Sequence, residues 1–188
     1  MTPRHRRALA AGVALALGAA LGGCSRRAAP VARLDPTVTF AEPGLGGAPK
    51  LAGKPLPDGT FTRLAGGTAT FASLKGKPAI INLWSQTCVP CVKEMPTLDA
   101  LHARLGDAVA VVGLNSGDTL AAARLFATRV GVSYDLWLDD DRAGTAALSV
   151  SALPTTVFVA ADGAIVRTHL GAFDAASLDA TVREVFGA

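Results

Sequence analysis

Two cysteines three positions apart, Cys88 and Cys91, have the residue type and the spacing to do chemistry. They lie between an apolar run of strand length, residues 78–84, and a segment with helical periodicity, so Cys88 is expected at or near a helix N-terminus. The unsatisfied N–H groups and the positive end of the helix dipole favour an anion there, which lowers the pKa of a thiol. The spacing favours Cys88 as a nucleophilic thiolate and Cys91 as a more enclosed thiol that resolves a mixed disulfide.

The residues alone are also compatible with other functions of a Cys-x-x-Cys pair. A zinc site needs more ligands, and the two histidines beyond the first 23 residues, His102 and His169, are isolated. A purely structural disulfide would stabilise little, because the loop that it closes is short. A peroxidase would need an isolated, arginine-assisted cysteine after a different loop. Val89 and Pro90, between the two cysteines, tune how easily a disulfide closes.

The elements that must position the pair follow from periodicity and turn signals. Strands are expected over residues 60–64, 68–74, 78–84, 108–115 and 134–139, with two more about the Ala-Asp-Gly turn of 155–171. Helices are expected directly after the cysteines and over residues 116–131, 142–148 and 174–186. This order predicts one α/β domain, residues 50–188, in which a hairpin precedes a mixed central sheet with helices on both faces.

The first 23 residues predict a lipoprotein signal peptide. Arg4, Arg6 and Arg7 form a positive n-region, and the uncharged stretch that follows is shorter than the about 20 residues of a membrane-spanning helix. The sequence Leu-Gly-Gly-Cys, ending at Cys24, resembles the lipobox of bacterial lipoproteins, in which the cysteine receives the lipid. Residues 24–49, rich in Ala, Pro, Gly and Arg, are expected to form a lipidated flexible tether. A signal peptide with a chance cysteine is the alternative.

The charge of the chain does not favour a nucleic-acid partner. The net charge of +3 is carried by the three arginines of the leader, so cleavage before Cys24 would leave equal numbers of acidic and basic residues. Lipidation would also consume Cys24. Cys88 and Cys91 would then remain as the two thiols of the mature chain, able to pair with each other or with another molecule.

Two longer motifs are similar to the thioredoxin superfamily, specifically to its membrane-tethered, extracytoplasmic branch of TlpA-like, ResA-like and cytochrome-maturation thioredoxins. The first, SLKGKPAIINLWSQTCVPCVKEMPTLDAL over residues 73–101, resembles that branch's strand end, active-site C-x-P-C and K-E-x-P helix. The second, SALPTTVFVAADGAIV over residues 151–166, resembles its Pro-Thr segment and hairpin. The resemblance spans residues 48–186 and implies a thioredoxin-like fold with an N-terminal β-hairpin and an inserted helix.

The resemblance also implies roles for individual residues. Cys88 would be the attacking thiol and Cys91 the resolving one. Pro154 would be a cis-proline facing the pair, and the backbone of Leu153 would bind an incoming peptide strand. Glu94 matches the acidic residue of this branch and would exchange a proton with Cys91, with burial raising its pKa; a solvated helix glutamate is the alternative.

The chain departs from the family pattern at Thr87, where tryptophan usually precedes the first cysteine. With Val89 and Pro90, Thr87 is expected to form the surface that meets a substrate. Asn82 stands where classical thioredoxin has a buried aspartate, which leaves Glu94 as the expected acid–base group. Trp84 is expected to serve packing.

These features predict a lipid-anchored extracytoplasmic thiol–disulfide oxidoreductase, a monomer with no bound cofactor and no metal. The resemblance implies that it reduces disulfides of extracytoplasmic proteins, for example in cytochrome c maturation or copper-site assembly, and is reduced again by a membrane electron-donor protein. An oxidase or isomerase would use the same residues. A Cu(I) metallochaperone could hold copper on the two thiolates, although copper carriers of this fold generally space their cysteines differently and add a histidine.

Overall fold

A computed structural model of the chain describes residues 47–187, so the predicted signal peptide, Cys24 and nearly all of the predicted tether lie outside the described residues. The elements, in chain order, are β1 (Thr60–Arg63), β2 (Thr68–Thr70), β3 (Ala79–Trp84), α1 (Val89–Leu105), β4 (Ala110–Ser116), α2 (Leu120–Val130), β5 (Asp135–Asp139), α3 (Ala143–Ala147), β6 (Thr155–Val159), β7 (Ile165–Leu170) and α4 (Ala175–Phe186). Short 3₁₀ helices follow β2 and α1.

The seven strands form one mixed sheet in the order β2-β1-β5-β4-β3-β6-β7. The pairs β3–β4 and β4–β5 are parallel, and the other neighbours are antiparallel. Because parallel strands end at the same edge of a sheet, the segments after β3, β4 and β5 meet there, together with the start of β6. The first two strands form the predicted hairpin and join the sheet through β5.

Two apolar layers cover the sheet, as the all-buried strand β3 requires. Ile80 and Trp84 face a core shared with α1, α2 and α4. Ile81 and Leu83 face a second core, which includes Leu148, the C-cap residue of α3, and the 3₁₀ helix after β2. Trp84 is fully buried and stacks on Phe126 of α2 with ring centroids 5.1 Å apart, so it packs as expected. The prediction of helices on both faces is confirmed.

The second strand is shorter than the sequence predicts, ending at Thr70 rather than Leu74. The Thr70 hydroxyl accepts a hydrogen bond from the Ser73 amide at 3.2 Å, and the Ser73 hydroxyl donates to the Thr70 carbonyl at 2.6 Å. This local pairing turns the chain into a 3₁₀ helix that buries both Phe71 and Leu74. A strand would place Phe71 and Leu74, three residues apart, on opposite faces of the sheet.

The segment ahead of β1 lies along β7, at one edge of the sheet. Gly53 donates to the Ile165 carbonyl and Ile165 donates to the Lys54 carbonyl, each at 2.8 Å. Leu51 is buried in the second core. Covering an edge strand in this way satisfies backbone groups that could otherwise pair with another chain. Within the described range, none of the helices has the length and apolar character needed to cross a bilayer.

Candidate active site

The two cysteines form a disulfide at the start of α1, directly after the loop that follows β3. Cys88 is the N-cap residue of α1, and its sulfur accepts a hydrogen bond from the Cys91 amide at 3.3 Å. Cys91 is fully buried, whereas Cys88 is half-buried. The predicted position at a helix N-terminus is therefore confirmed, and so is the difference in exposure. Cys88 is therefore the more accessible sulfur of the pair.

The surface beside Cys88 is small and largely exposed. Val89 exposes 65% of its surface, and Pro90 lies in the first turn of α1, where its missing N–H costs nothing. Thr87 is exposed, and its hydroxyl lies 3.3 Å from that of Ser85. Two hydroxyl side chains, Ser85 and Thr87, therefore lie just before Cys88 and line the same groove.

The start of β6 brings the second motif to the same edge. The Leu153–Pro154 peptide bond is cis, as the sequence resemblance implies. Pro154 is buried and its carbonyl accepts a hydrogen bond from Gly171 at 2.9 Å, while Leu153 is half-buried. Antiparallel pairing with β3 sets Thr155 opposite Leu83, which places Leu153 near the strand end that leads to Cys88. Leu153 lines the same groove as Cys88.

Glu94 lies one turn after Cys91 on α1 and is fully buried, which rules out the alternative of a solvated glutamate. Its carboxylate accepts hydrogen bonds from the Asn82 side-chain amide and from the Phe173 backbone amide, each at 2.9 Å. Asn82 also donates to the Thr156 hydroxyl at 3.1 Å. Burial raises the pKa of Glu94, and the two hydrogen bonds oppose that rise less strongly. The buried carboxyl can therefore hold a proton within one turn of Cys91.

A groove of about 690 Å³ opens beside the disulfide at the edge where the parallel strands end. Its wall comes from segments that are far apart in the sequence. The segment after β3 and the first turn of α1 contribute Ser85, Thr87, Cys88, Val89 and Pro90. The end of β4 contributes Ser116, and the segment after β5, including α3, contributes Arg142, Thr145 and Ala146. The segment before β6 contributes Val150, Ser151, Ala152 and Leu153. The groove thus gathers Cys88, Thr87, Val89, Pro90 and Leu153, which the sequence predicts to meet a substrate.

Ser116, Arg142 and Thr145 are groove residues that the sequence analysis does not identify. No local motif marks them. Their positions in the sequence do carry a signal, because all three lie in the segments that follow the predicted strands 108–115 and 134–139. The carboxyl ends of parallel strands form the binding edge of an open α/β sheet. Applying that rule to the segments after residues 115 and 139 would have brought all three to the active-site edge.

Asp139 fixes the loop that carries Arg142 and Thr145. Its buried carboxylate accepts hydrogen bonds from the Gly144 amide at 3.0 Å, the Thr145 amide at 2.7 Å and the Thr145 hydroxyl at 2.6 Å. The Thr145 hydroxyl also lies 3.0 Å from that of Ser116. These bonds hold α3 against the end of β5 and so give one wall of the groove its shape.

Replacing Asp139 with alanine should lower the free energy of unfolding by about 3 kcal/mol, because two buried amides and a hydroxyl lose a charged acceptor. Urea unfolding followed by circular dichroism measures the change. Asp140→Ala is the control: Asp140 is exposed and accepts one bond from its neighbour, so its replacement should cost about 0.5 kcal/mol or less. Equal losses in the two variants would contradict the assigned role of Asp139.

No group of three or more His, Cys, Asp and Glu side chains suited to a metal ion occurs within residues 47–187.

Comparison with known proteins places residues 51–184 within the model of the Redoxin family. The thiol-disulfide oxidoreductase ResA of Bacillus subtilis is 31% identical over 120 residues, covering 63% of this chain and 67% of ResA. The thiol:disulfide interchange protein DsbE of Pseudomonas fluorescens biotype C is 32% identical over 127 residues, covering 66% of this chain and 70% of DsbE.

Solved structures of related proteins are also similar to this chain. A secreted Mycobacterium tuberculosis disulfide oxidoreductase, homologous to E. coli DsbE, superposes with a TM-score of 0.59 at 29% identity, over 67% of this chain and 95% of that one. A DsbF homologue from Corynebacterium diphtheriae superposes with a TM-score of 0.62 at 25% identity, over 70% of this chain and 86% of that one. The thioredoxin-like fold predicted from the sequence is confirmed.

Proposed function

The chain belongs to the Redoxin family and is a thiol–disulfide oxidoreductase, and we propose that it works outside the cytoplasm as a reductant of protein disulfides. The observation that carries the proposal is the pair itself: a half-buried sulfur on Cys88 at a helix N-terminus, bonded to a fully buried sulfur on Cys91. The difference in exposure assigns different roles to the two sulfurs: Cys88 reacts with the partner protein, and Cys91 then closes the intramolecular disulfide.

The reaction needs two sulfur exchanges. The Cys88 thiolate attacks a disulfide in the substrate protein, forming a mixed disulfide and releasing one substrate thiolate, which takes up a proton. Cys91 then loses its proton and attacks the Cys88 sulfur, releasing the second substrate thiol and closing the Cys88–Cys91 disulfide. Counted from the dithiol form of the enzyme, which loses the Cys88 proton when the thiolate forms, the enzyme gives up two electrons and two protons and the substrate gains the same number. No bound cofactor is required, because the two sulfurs carry the electrons.

Six other residues assist in this scheme. Glu94 accepts the proton of Cys91 during the second exchange, which its burial and its place one turn along α1 support. The backbone of Leu153 pairs with an extended substrate segment, and Pro154 holds that backbone at the groove, which the shared lining of Leu153 and Cys88 supports. Thr87, Val89 and Pro90 contact the substrate around the attacked sulfur.

The reductant cannot work alone in an oxidising compartment. We infer that a membrane-bound thiol–disulfide protein reduces the Cys88–Cys91 disulfide after each cycle, and that a lipid on Cys24 keeps this chain, as a monomer, near that donor. The leader-like first 23 residues and the Leu-Gly-Gly-Cys sequence support the anchor. The resemblance of residues 73–101 and 151–166 to cytochrome-maturation thioredoxins supports apocytochrome c or copper-site assembly proteins as substrates.

The reduction potential of the Cys88–Cys91 pair tests the proposed direction. Equilibration of the purified protein with defined thiol–disulfide buffers should give a value near or below about −250 mV, close to thioredoxin. A value near about −120 mV, typical of a strong oxidant, would contradict the reductant role and favour an oxidase. Failure to form the intramolecular disulfide in any buffer would contradict both and favour metal binding by the two thiolates.

A further inference from the structure

Arg142 is the one charged residue among those lining the groove beside the disulfide. The rest of the wall is made of hydroxyl, apolar and sulfur-containing side chains. A groove of about 690 Å³ lies within the about 300–1,000 Å³ range of ligand pockets, large enough for a few side chains of a bound peptide. The guanidinium of Arg142 therefore gives a positive charge to the groove that Cys88 also lines.

The guanidinium of Arg142 has no ion-pair partner among residues 47–187. The nearby carboxylates are already engaged with other donors. Asp139 is buried and accepts from the loop after it, Asp141 accepts from the Ala143 amide at 2.9 Å, and Asp118 accepts from the Gln86 amide at 2.8 Å. The four exposed or half-exposed ion pairs of the described range use other arginines and lysines. Arg142 therefore keeps its five donors for a group outside those residues.

The backbone of Arg142 adds a second observation. Its φ of 61° and ψ of 20° lie in the left-handed region, which glycine adopts freely and an arginine only at a cost in free energy. The side chain extends over Gly117 and occupies the space that a Cβ at that position would fill. The left-handed turn after β5 and the absence of a side chain at Gly117, after β4, together let the Arg142 side chain lie over Gly117.

We propose that Arg142 binds a carboxylate of the substrate protein, so that the enzyme prefers disulfides whose cysteine has an aspartate or glutamate close by in the bound segment. This inference rests on the proposed oxidoreductase function and adds a specificity determinant to it. A guanidinium and a carboxylate match in charge and in planar hydrogen-bonding geometry. Arg142 acts before the sulfur exchange by holding the acidic segment in the groove, and it takes no part in bond making.

Three model peptides can measure the preference. Each carries one cysteine as its 2-pyridyl disulfide, flanked by two Asp, two Asn or two Lys. The reduced full-length protein attacks the peptide sulfur through Cys88 and releases pyridine-2-thione, which is followed by its absorbance; Cys91 then closes the disulfide and releases the peptide thiol. For the wild-type protein we expect the second-order rate constant to be highest with the Asp peptide and lowest with the Lys peptide.

Arg142→Gln should lower the ratio of the Asp-peptide to the Lys-peptide rate constant about three- to tenfold, as expected for one partly exposed ion pair. Arg129→Gln is the matched control: it removes the same charge from an exposed position on α2 outside the groove, and it should leave the ratio unchanged. Arg142→Lys should retain part of the preference. Arg142→Gly suits the left-handed backbone and should fold at least as stably as Arg142→Gln while losing the preference equally.

Each outcome separates this inference from the proposed function. If the wild-type protein reacts with none of the peptides, the exchange function itself fails. If it reacts but Arg142→Gln and Arg129→Gln change the ratio equally, the preference reflects net charge and the role of Arg142 is wrong. A loss of the same factor with all three peptides in Arg142→Gln would show that Arg142 acts on the Cys88 thiolate instead of on the substrate, and would overturn the inference as well.

Discussion

Replacing Cys91 with serine is expected to yield a protein that captures its partners as mixed disulfides and does not release them. Cys88 remains at the N-terminus of α1, half-buried and able to attack a substrate disulfide. The second exchange is lost, because a serine hydroxyl does not become a nucleophilic anion near neutral pH as a thiol does. Non-reducing gel electrophoresis of envelope extracts should show adducts that disappear on reduction, and mass spectrometry should identify cysteine-containing extracytoplasmic proteins in them.

Cys88→Ser is the matched control, with the same substitution three residues away. Here the sulfur that remains belongs to Cys91, whose side chain is fully buried, so neither adducts nor dithiol activity should be detectable. The double variant, which retains Cys24, should also form none, and this excludes a contribution from the third cysteine. Equal adducts in the two single variants would contradict the assignment of attacking and resolving thiols, and an absence of adducts in Cys91→Ser would contradict the exchange mechanism.

The sequence is sufficient to place these two thiols because their environment is local. A buried strand, a turn and an amphipathic helix are encoded within residues 78–105, so a position of Cys88 at or near the helix N-terminus follows from periodicity. The resemblance extends the prediction to Pro154, about 60 residues away. The alternation of strands and helices gives the layered sheet for the same reason, since each crossover is short and its apolar face is continuous.

Other features depend on long-range contacts that no local pattern contains. Arg142 reaches the groove because β5 ends at the same edge as β3, and that neighbourhood is created by the parallel pairing of β3 with β4 and of β4 with β5. The early end of β2 depends on a hydroxyl–amide bond at Thr70 that competes with strand pairing. The burial of Glu94 required Phe173, which lies 79 residues away, to supply an amide.

Glu94→Gln is expected to slow disulfide exchange about 100-fold near neutral pH, the low end of the effect of a positioned acid–base group. Glutamine has nearly the same size and keeps an oxygen that can accept from Asn82 or Phe173, so the fold should persist. It cannot take the proton of Cys91. Stopped-flow measurement of the closing of the Cys88–Cys91 disulfide from a mixed disulfide isolates that step from the initial attack on the substrate.

The same substitution should change how stability depends on pH. Burial raises the pKa of Glu94 in the folded protein above its ordinary value of 4.5. Between these two pKa values the folded state binds more protons than the unfolded state, so the free energy of unfolding falls as pH rises through that window, by about 1.4 kcal/mol per pH unit. Well below pH 4.5 Glu94 contributes no pH dependence, since it is then protonated in both the folded and the unfolded state. Glu94→Gln removes this fall and should gain stability relative to the unsubstituted protein as pH rises.

Glu184→Gln provides the matched control for both measurements, because Glu184 is exposed on α4 and paired with Arg167. It should leave the closing rate and the pH profile of unfolding unchanged. An unchanged closing rate in Glu94→Gln, together with the expected loss of pH-dependent stability, would show that Glu94 is buried and protonated but does not serve Cys91. A slow closing rate with an unaltered stability profile would place the pKa of Glu94 near its ordinary value, and the carboxylate would then act as a base without the help of burial.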